Sequence, residues 1–278
     1  MPACRFVDPA MKAFATPAAP IRRSALALLL AAFSALAFAQ AQKAPAPFEP
    51  TSGQEGKDVV WIPTPQVVVE KMLDMARVGP RDFVMDLGSG DGRTVIAAAR
   101  RGARALGVEY NSDMVEYSRR AAARQGVADK ATFVKADLFE TDFSKATVIT
   151  MFLLPDINLR LRPKLLALKP GTRVVSNSFT MGDWQEDEKA DLSGDPGCNV
   201  SWCTALLWIV PARVAGVYKV PPGELTLKQR YQNLSGTLRT GGTTYAIQDG
   251  KVRGEGFSFT AGGRRYSGRM NGKTLELR

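Results

Sequence analysis

Three acidic side chains, Asp86, Glu109 and Asp137, fall at intervals that suit a nucleoside ligand. Asp86 stands two residues ahead of the run Gly88-Ser89-Gly90-Asp91-Gly92, which follows the apolar stretch 83–87. That order predicts a strand, a tight turn and an amphipathic helix through Arg101. The glycines let the backbone approach a ligand where a Cβ would clash. The helix start behind them offers N–H groups to an anionic or carboxylate-bearing ligand. The spacing is G-x-G-x-G, not the G-x-G-x-x-G of a dinucleotide site, and such a turn alone is a weak signal, with a turn that binds nothing as the lesser alternative. Glu109 ends a second stretch, 105–109, at the place from which a carboxylate accepts both ribose hydroxyls. Asp137 and Leu138 end a third, 131–136. They supply a carboxylate for an exocyclic amino group and an apolar side chain for the face of an adenine. A fourth stretch, 147–154, ends at Pro155 and Asp156. In open α/β sheets ligands bind at the carboxyl ends of strands, and here four such ends come in order.

These motifs resemble the class I S-adenosylmethionine-dependent methyltransferases. Asp86 to Gly92 matches their D/E-x-G-x-G-x-G turn, Glu109 their ribose acid and Asp137 their adenine acid. Five stretches narrow the resemblance: Trp61-Ile62-Pro63-Thr64-Pro65, the turn itself, Gly107-Val108-Glu109-Tyr110-Asn111, Lys135-Ala136-Asp137-Leu138-Phe139 and Phe152-Leu153-Leu154-Pro155. Together they look like the small family that includes mitochondrial inner-membrane protein-lysine methyltransferases, which act on the nucleotide carrier and the ATP-synthase c-subunit. The resemblance spans about Trp61 to Trp208. It implies S-adenosyl-L-methionine as cofactor, held by Asp86, Gly88, Ser89, Gly90, Asp91, Gly92, Glu109, Asp137 and Leu138. It also implies that the segment around Thr64 folds over the methionine end.

Methyl transfer from a sulfonium is an in-line displacement, so positioning and partial dryness carry most of the catalysis. A lysine nucleophile must be neutral, and its ordinary pKa near 10.4 falls in an apolar mouth. Phe152, Leu154 and Pro155, with Leu153 between them, are the expected mouth. Asp156 is the candidate to orient the amine or take its proton, with an N-cap as its structural alternative. The Leu-Leu-Pro-Asp sequence replaces the Asn/Asp-Pro-Pro-Tyr loop of base-methylating relatives and argues against that chemistry. Asp183 and Trp184 form a second candidate pair, with a surface turn as the alternative. The chain has no histidine, which excludes a His-based triad, a His general base and most zinc sites, so no metal is expected.

The elements that must position these residues follow from periodicity. Thr64 and Pro65 open a helix through Met75 or Ala76, with Val67, Val68, Met72 and Met75 on one face. Asn111 or Ser112 caps another helix. A fifth strand covers 173–179, and a final hairpin includes 204–210. This βαβ alternation predicts an α/β, doubly wound Rossmann-like methyltransferase sheet over residues 58–212. Beyond it the period changes to two. Strands at 225–231, 234–239, 244–247, 251–259, 264–270 and 273–277, with turns at 248–250, 261–263 and 271–272, predict a small C-terminal antiparallel β domain over 213–278.

Residues 1–39 have the form of a signal peptide, with Arg22 and Arg23 before an apolar run and Ala37-Phe38-Ala39 as the cleavage site. Residues 40–57, rich in Ala, Pro and Gly, read as a flexible linker. Export to the periplasm or inner membrane is expected, with a cytoplasmic-facing anchor as the alternative. Cys198 and Cys203 would then form a local disulfide, against an unlinked pair. The net charge is +10, of which the leader holds three, leaving +7 for the rest. That suits an acidic partner or anionic membrane surface, or is simply a basic solvated face. No basic run interleaved with aromatics marks a nucleic-acid groove. The expected partner is a protein substrate, including a membrane-associated one; the sequence leaves oligomeric state open. The reading is methyl transfer to a protein lysine. Its alternatives are a small-molecule methyltransferase and a cofactor-binding envelope protein without catalysis.

Overall fold

The computed structural model describes residues 46–278. The signal-peptide reading, 1–39, lies outside the described residues. Two sheets account for most of the rest, and a different side-chain period builds each.

The central strands of the first sheet are buried on both faces. Its elements are α1 (Gln66–Met75), β1 (Phe83–Leu87), α2 (Arg93–Arg100), β2 (Arg104–Glu109), α3 (Ser112–Arg124), β3 (Ala131–Lys135), β4 (Val148–Met151), α4 (Pro155–Leu166), β5 (Arg173–Asn177), β6 (Glu188–Asp191) and β7 (Thr204–Ile209). Strand order is β3-β2-β1-β4-β5-β7-β6, with the first five parallel, β7 antiparallel to β5 and β6 antiparallel to β7. The order reverses between β1 and β4, and a crevice opens at such a switch point. One face is covered by α1, α2 and α3, through Val68, Met72, Val95, Ile96, Val115 and their neighbours. The other is covered by α4, through Ile157, Leu161 and Leu165, which pack on Met85, Ile149 and Val174.

Local signals differ from this outcome at several ends. Thr64 does not cap α1; Pro65 is the N-cap and no side chain bonds there. The buried stripe of α1 is Val68, Val69, Met72 and Leu73, because the sheet meets a wider arc than the spacing suggested. Asn111 caps α3, its Oδ1 accepting from the Asp113 and Met114 N–H groups at 2.8 and 3.3 Å. Strand β4 stops at Met151, three residues short of the expected end. β6 went unpredicted because its sequence, Glu-Lys-Ala-Asp, is polar and its strand is exposed at the sheet edge. Residues 51–61, partly within the expected linker, are fixed by Gly53 N–H to Trp61 O and Trp61 N–H to Gln54 O, at 2.8 and 2.9 Å.

The second sheet alternates in and out. It comprises β8 (Gly216–Val220), β9 (Gly223–Arg230), β10 (Asn233–Thr240), β11 (Thr243–Ala246), β12 (Gln248–Arg253), β13 (Gly256–Ala261), β14 (Arg264–Asn271) and β15 (Thr274–Leu277). All neighbours are antiparallel, and the sheet curls so that β15 approaches β8. Leu225, Leu227, Leu238, Val252, Phe257 and Phe259 fill its interior. The expected strand 251–259 is two strands, broken at Gly254, whose φ of 60° makes the turn.

Asp183 ties the two sheets together. It accepts from Arg162 of α4 at 2.5 Å, and from Arg230 and the Tyr231 hydroxyl at the end of β9 at 2.7 and 2.9 Å. Trp184 beside it is fully buried, stacks on Tyr231 and meets Trp208, whose Nε1–H donates to the Trp184 carbonyl at 2.8 Å. This pair therefore serves the packing of the two sheets, not the site chemistry.

Candidate active site

A cleft of about 960 Å³, open mouth included, lies over the carboxyl ends of β1 to β4. Asp86, Gly88, Ser89, Asp91, Glu109, Asp137, Leu138 and Thr64 all line it, as do Met151, Phe152 and Leu153.

The acids follow sheet order. Asp137 comes after β3, Glu109 ends β2 and Asp86 sits in β1, so three neighbouring strands present carboxylates in a row. Glu109 accepts the Gly90 N–H through Oε2 and the Asn111 N–H through Oε1, both at 2.9 Å. Asp86 is only 6% exposed and takes a hydrogen bond from the Thr150 hydroxyl at 2.6 Å. Burial pushes its carboxyl up to about 7; Asp91 and Glu109 add to this and the Thr150 hydrogen bond opposes it.

The glycine turn shapes the cleft more than it donates to it. Gly88, Gly90 and Gly92 all have positive φ, at 78°, 53° and 81°. Gly90 lies so close under the Trp61 indole that a Cβ has no room, and at Gly92 a Cβ would strike Phe133 and Ser118. The turn's N–H groups are largely spent inside the protein. Those of Gly88 and Ser89 donate to Val108 O, that of Gly90 to Glu109 and that of Gly92 to Ser89 O. The expected row of free turn N–H donors is therefore absent from residues 88–90 and 92. Gly90 and Gly92 stand behind the cleft wall. Asp91 grips Arg93 through Nη2 at 2.6 Å, and Arg93 Nη1 reaches the Thr64 carbonyl at 2.9 Å. This chain of contacts places Thr64 at the cleft, 8% exposed.

Residues 56–64 cross the cleft as a strap. Lys57 donates to Asp137 Oδ2 and lies 5.0 Å from the centre of the Tyr110 ring. That bond and the Phe139 N–H hold the Asp137 carboxyl below its ordinary range. Neither Lys57 nor Arg93 had a local signal; each acts across a long sequence separation.

The β4 side carries no acid. Phe152 lines the cleft, but Leu154 and Pro155 do not; Leu154 is the N-cap of α4, 46% exposed, and Pro155 is its first residue. Asp156 lies exposed in the first turn of α4, outside the cleft lining, and it is not the cap. Both roles expected of it lack a contact. Cys198 and Cys203 are disulfide-bonded, with Cα atoms 6.0 Å apart. Among the described residues no group of three or more Cys, Asp or Glu stands ready for a metal.

The residues fit S-adenosylmethionine on three observations. Asp137, Glu109 and Asp86 stand in a row along neighbouring strands β3, β2 and β1. Gly88, at positive φ, lines the cleft without a side chain. The Ser89 hydroxyl, at the cleft, is buried with no hydrogen-bond partner among the described residues.

Comparison with known proteins agrees. The ANTKMT methyltransferase domain family matches residues 86–188. A protein-lysine N-methyltransferase of Saccharolobus islandicus is 46% identical over 133 residues, 47% of this chain and 83% of that protein. The adenine nucleotide translocase lysine N-methyltransferase of Mus musculus is 39% identical over 119 residues, 42% of this chain and 52% of the mouse protein. The chain thus spans about half of that mouse relative. A crystal structure described as an RNA methyltransferase from Salinibacter ruber, with S-adenosyl-L-homocysteine, is 48% identical with a TM-score of 0.51. It covers 55% of this chain and 96% of its own.

Proposed function

The chain belongs to the class I S-adenosylmethionine-dependent methyltransferases, and on that premise we propose that it methylates the side-chain amine of a protein lysine. The observation that carries the substrate reading is the contrast between the two ends of the cleft. Carboxylates line the β3, β2 and β1 side, whereas Met151, Phe152 and Leu153 make the β4 side apolar. Bound S-adenosylmethionine supplies a methyl group on a sulfonium, ready for displacement.

The protein's own groups then divide the work. Asp137 and Leu138 hold the adenine, Glu109 the ribose hydroxyls, and Asp86 with Thr64 the methionine end. The Asp91–Arg93–Thr64 chain keeps the strap in place over them. The apolar β4 side excludes water from the incoming amine and favours its neutral, nucleophilic form, since desolvation disfavours an ammonium. Met151, Phe152 and Leu153 offer no base, so the amine gives its proton to water at the open mouth before it attacks.

Lysine as acceptor also draws support from the names of the relatives, two of which are lysine N-methyltransferases of a protein. Docking of an acidic or membrane-associated partner fits the charge distribution. Residues 213–278 hold twelve Lys and Arg against four Asp and Glu, a net +8, while residues 58–212 are nearly neutral at −1. Export through residues 1–39 is part of the same proposal, and the Cys198–Cys203 bond suits an oxidising compartment.

The test is calorimetric titration with S-adenosylmethionine and S-adenosylhomocysteine, followed by mass spectrometry of lysines methylated in an envelope fraction. Micromolar binding and a +14 Da lysine, on the order of one CH₂, are expected. A folded protein that binds neither ligand overturns the proposal. Glu109→Ala should weaken binding by tenfold or more, since it deletes two charge-assisted hydrogen bonds of about 1.5–3 kcal/mol each.

A further inference from the structure

The row of carboxylates on β3, β2 and β1 continues across the sheet as a row of aromatic rings. Phe152 follows β4, Phe179 follows β5 by two residues and Trp202 precedes β7 by two. In the sheet order β4 is next to β5 and β5 next to β7. The three rings touch: Phe152 stacks on Phe179 with centroids 5.8 Å apart, and Trp202 meets Phe152 at 6.3 Å. Phe152 lines the cleft, while Phe179 and Trp202 stand beside it outside the lining, so the cluster begins where the carboxylates end and extends past the mouth. All three rings are half-buried.

The backbone is arranged to present them. The Phe179 carbonyl accepts from Ser176 Oγ at 2.8 Å and from Asn158 Nδ2 at 3.2 Å. Ser178 is left-handed, with φ 57°, a costly conformation for serine. Its N–H donates to the Thr204 carbonyl at 2.7 Å, which joins the Phe179 turn to the segment that carries Trp202. That segment is closed by the Cys198–Cys203 disulfide immediately after Trp202. A strained turn, a buried asparagine and a disulfide all serve one feature, the placement of two rings beside a third.

We propose that Phe152, Phe179 and Trp202 form the acceptor subsite, and that they select an aliphatic amine and its methylated ammonium forms. The proposal rests on the methyltransferase reading above and names what that site recognises. A ligand bound along β3, β2 and β1 ends its polar contacts at β1, so its reacting end faces β4 and the acceptor must come from the β5 and β7 side. A lysine stem packs on ring faces while its amino group stays near them, and a cation is held by the ring quadrupole. No charged side chain belongs to the cluster, so a carboxylate or phosphate acceptor finds no counter-ion there. Trp202 is thus a specificity-determining residue, and the disulfide positions it.

The experiment uses the full chain saturated with S-adenosylhomocysteine. Nα-acetyl-lysine methylamide is titrated in while the indole N–H signals are followed by NMR, with the Trp202 signal identified through Trp202→Phe. The expected result is a saturable shift of Trp202, a tighter response to the Nε-trimethylated probe and a weaker one to the norleucine analogue, with Trp184 and Trp208 unmoved. Phe179→Ala and Trp202→Ala should each weaken the lysine probe at least fivefold, and Trp202→Phe should recover most of the loss. The Cys198→Ser, Cys203→Ser double variant should weaken it about threefold. In each variant S-adenosylhomocysteine affinity should stay within twofold, which also reports that the domain is folded. A Trp202 signal indifferent to lysine, or equally responsive to norleucine, overturns the subsite and leaves the methyltransferase reading standing. Failure of S-adenosylhomocysteine to bind overturns both.

Discussion

The ammonium of Lys57 is bonded to the carboxylate of Asp137, the acid at the β3 end of the cleft. The two residues are 80 positions apart in the chain. Lys57 therefore ties the strap 56–64 to the end of the cleft proposed for the purine. Asp137 keeps capacity for an exocyclic amino group, since a carboxylate has about four acceptor sites and here two are used.

Lys57→Met should loosen the strap and speed release of S-adenosylhomocysteine. The pair is partly exposed, at 34% and 25%, and solvent screens it, so the dissociation rate should rise no more than about fivefold. Stopped-flow release measures this directly. An unchanged rate would mean that the strap does not close on the ligand.

Asp86 should make both stability and binding depend on pH. Its folded value near 7 lies above its ordinary 3.8, so the folded protein keeps a proton that the unfolded chain has lost. The stability from this group is complete below about 3.8 and is lost as pH rises through about 7. Asp86→Asn should therefore melt above wild type at pH 8, with the gap closing toward pH 4. The ligand's ammonium needs the ionised acid, so wild-type affinity should climb through pH 7 while that of the variant stays flat. Thermal melts and calorimetry at three pH values decide both points.

Asp156→Asn should leave methyl transfer and cofactor affinity within twofold of wild type. Asp156 is exposed in the first turn of α4 and does not line the cleft. A steady-state assay with the variant checks this. A tenfold loss in kcat would restore it to the chemistry.

Asp183→Asn should loosen the β domain without touching the cleft. The carboxylate is held well below its ordinary range by Arg230, Tyr231 and Arg162. A depressed acid stabilises above its unfolded pKa, and the contribution fades as pH falls through the folded value. The urea midpoint read from Trp fluorescence should drop at neutral pH, and the difference should shrink in 1 M salt because exposed pairs are screened. Equal midpoints would mean that Asp183 adds nothing to the other contacts at this junction, such as Gln232 with the Gln185 carbonyl.

The cleft acids were legible because strand ends are local. Apolar runs ending in Asp86, Glu109 and Asp137 need only residues within a few positions to announce a strand, a turn and a carboxylate. The parallel sheet follows from the alternation of such runs with helices, and the second domain from the change to period two. Asn111 as a cap was legible for the same reason.

Asp156 looked catalytic because its neighbours matched a motif, yet one extra degree of freedom, the direction of the first turn of α4, takes it away from the cleft. β6 hid because an exposed edge strand needs no apolar side chains. Lys57 on Asp137, Arg93 on Thr64, Asp183 between two sheets and the meeting of Phe152, Phe179 and Trp202 are all contacts between distant segments. The sequence by itself determined the fold class, the acids and the glycine turn, since strand, turn and cap preferences act over a few residues. Only tertiary structure decided which surface those acids share, what closes over them and which rings stand beside them, because strand order brings those groups together across gaps that no local preference spans.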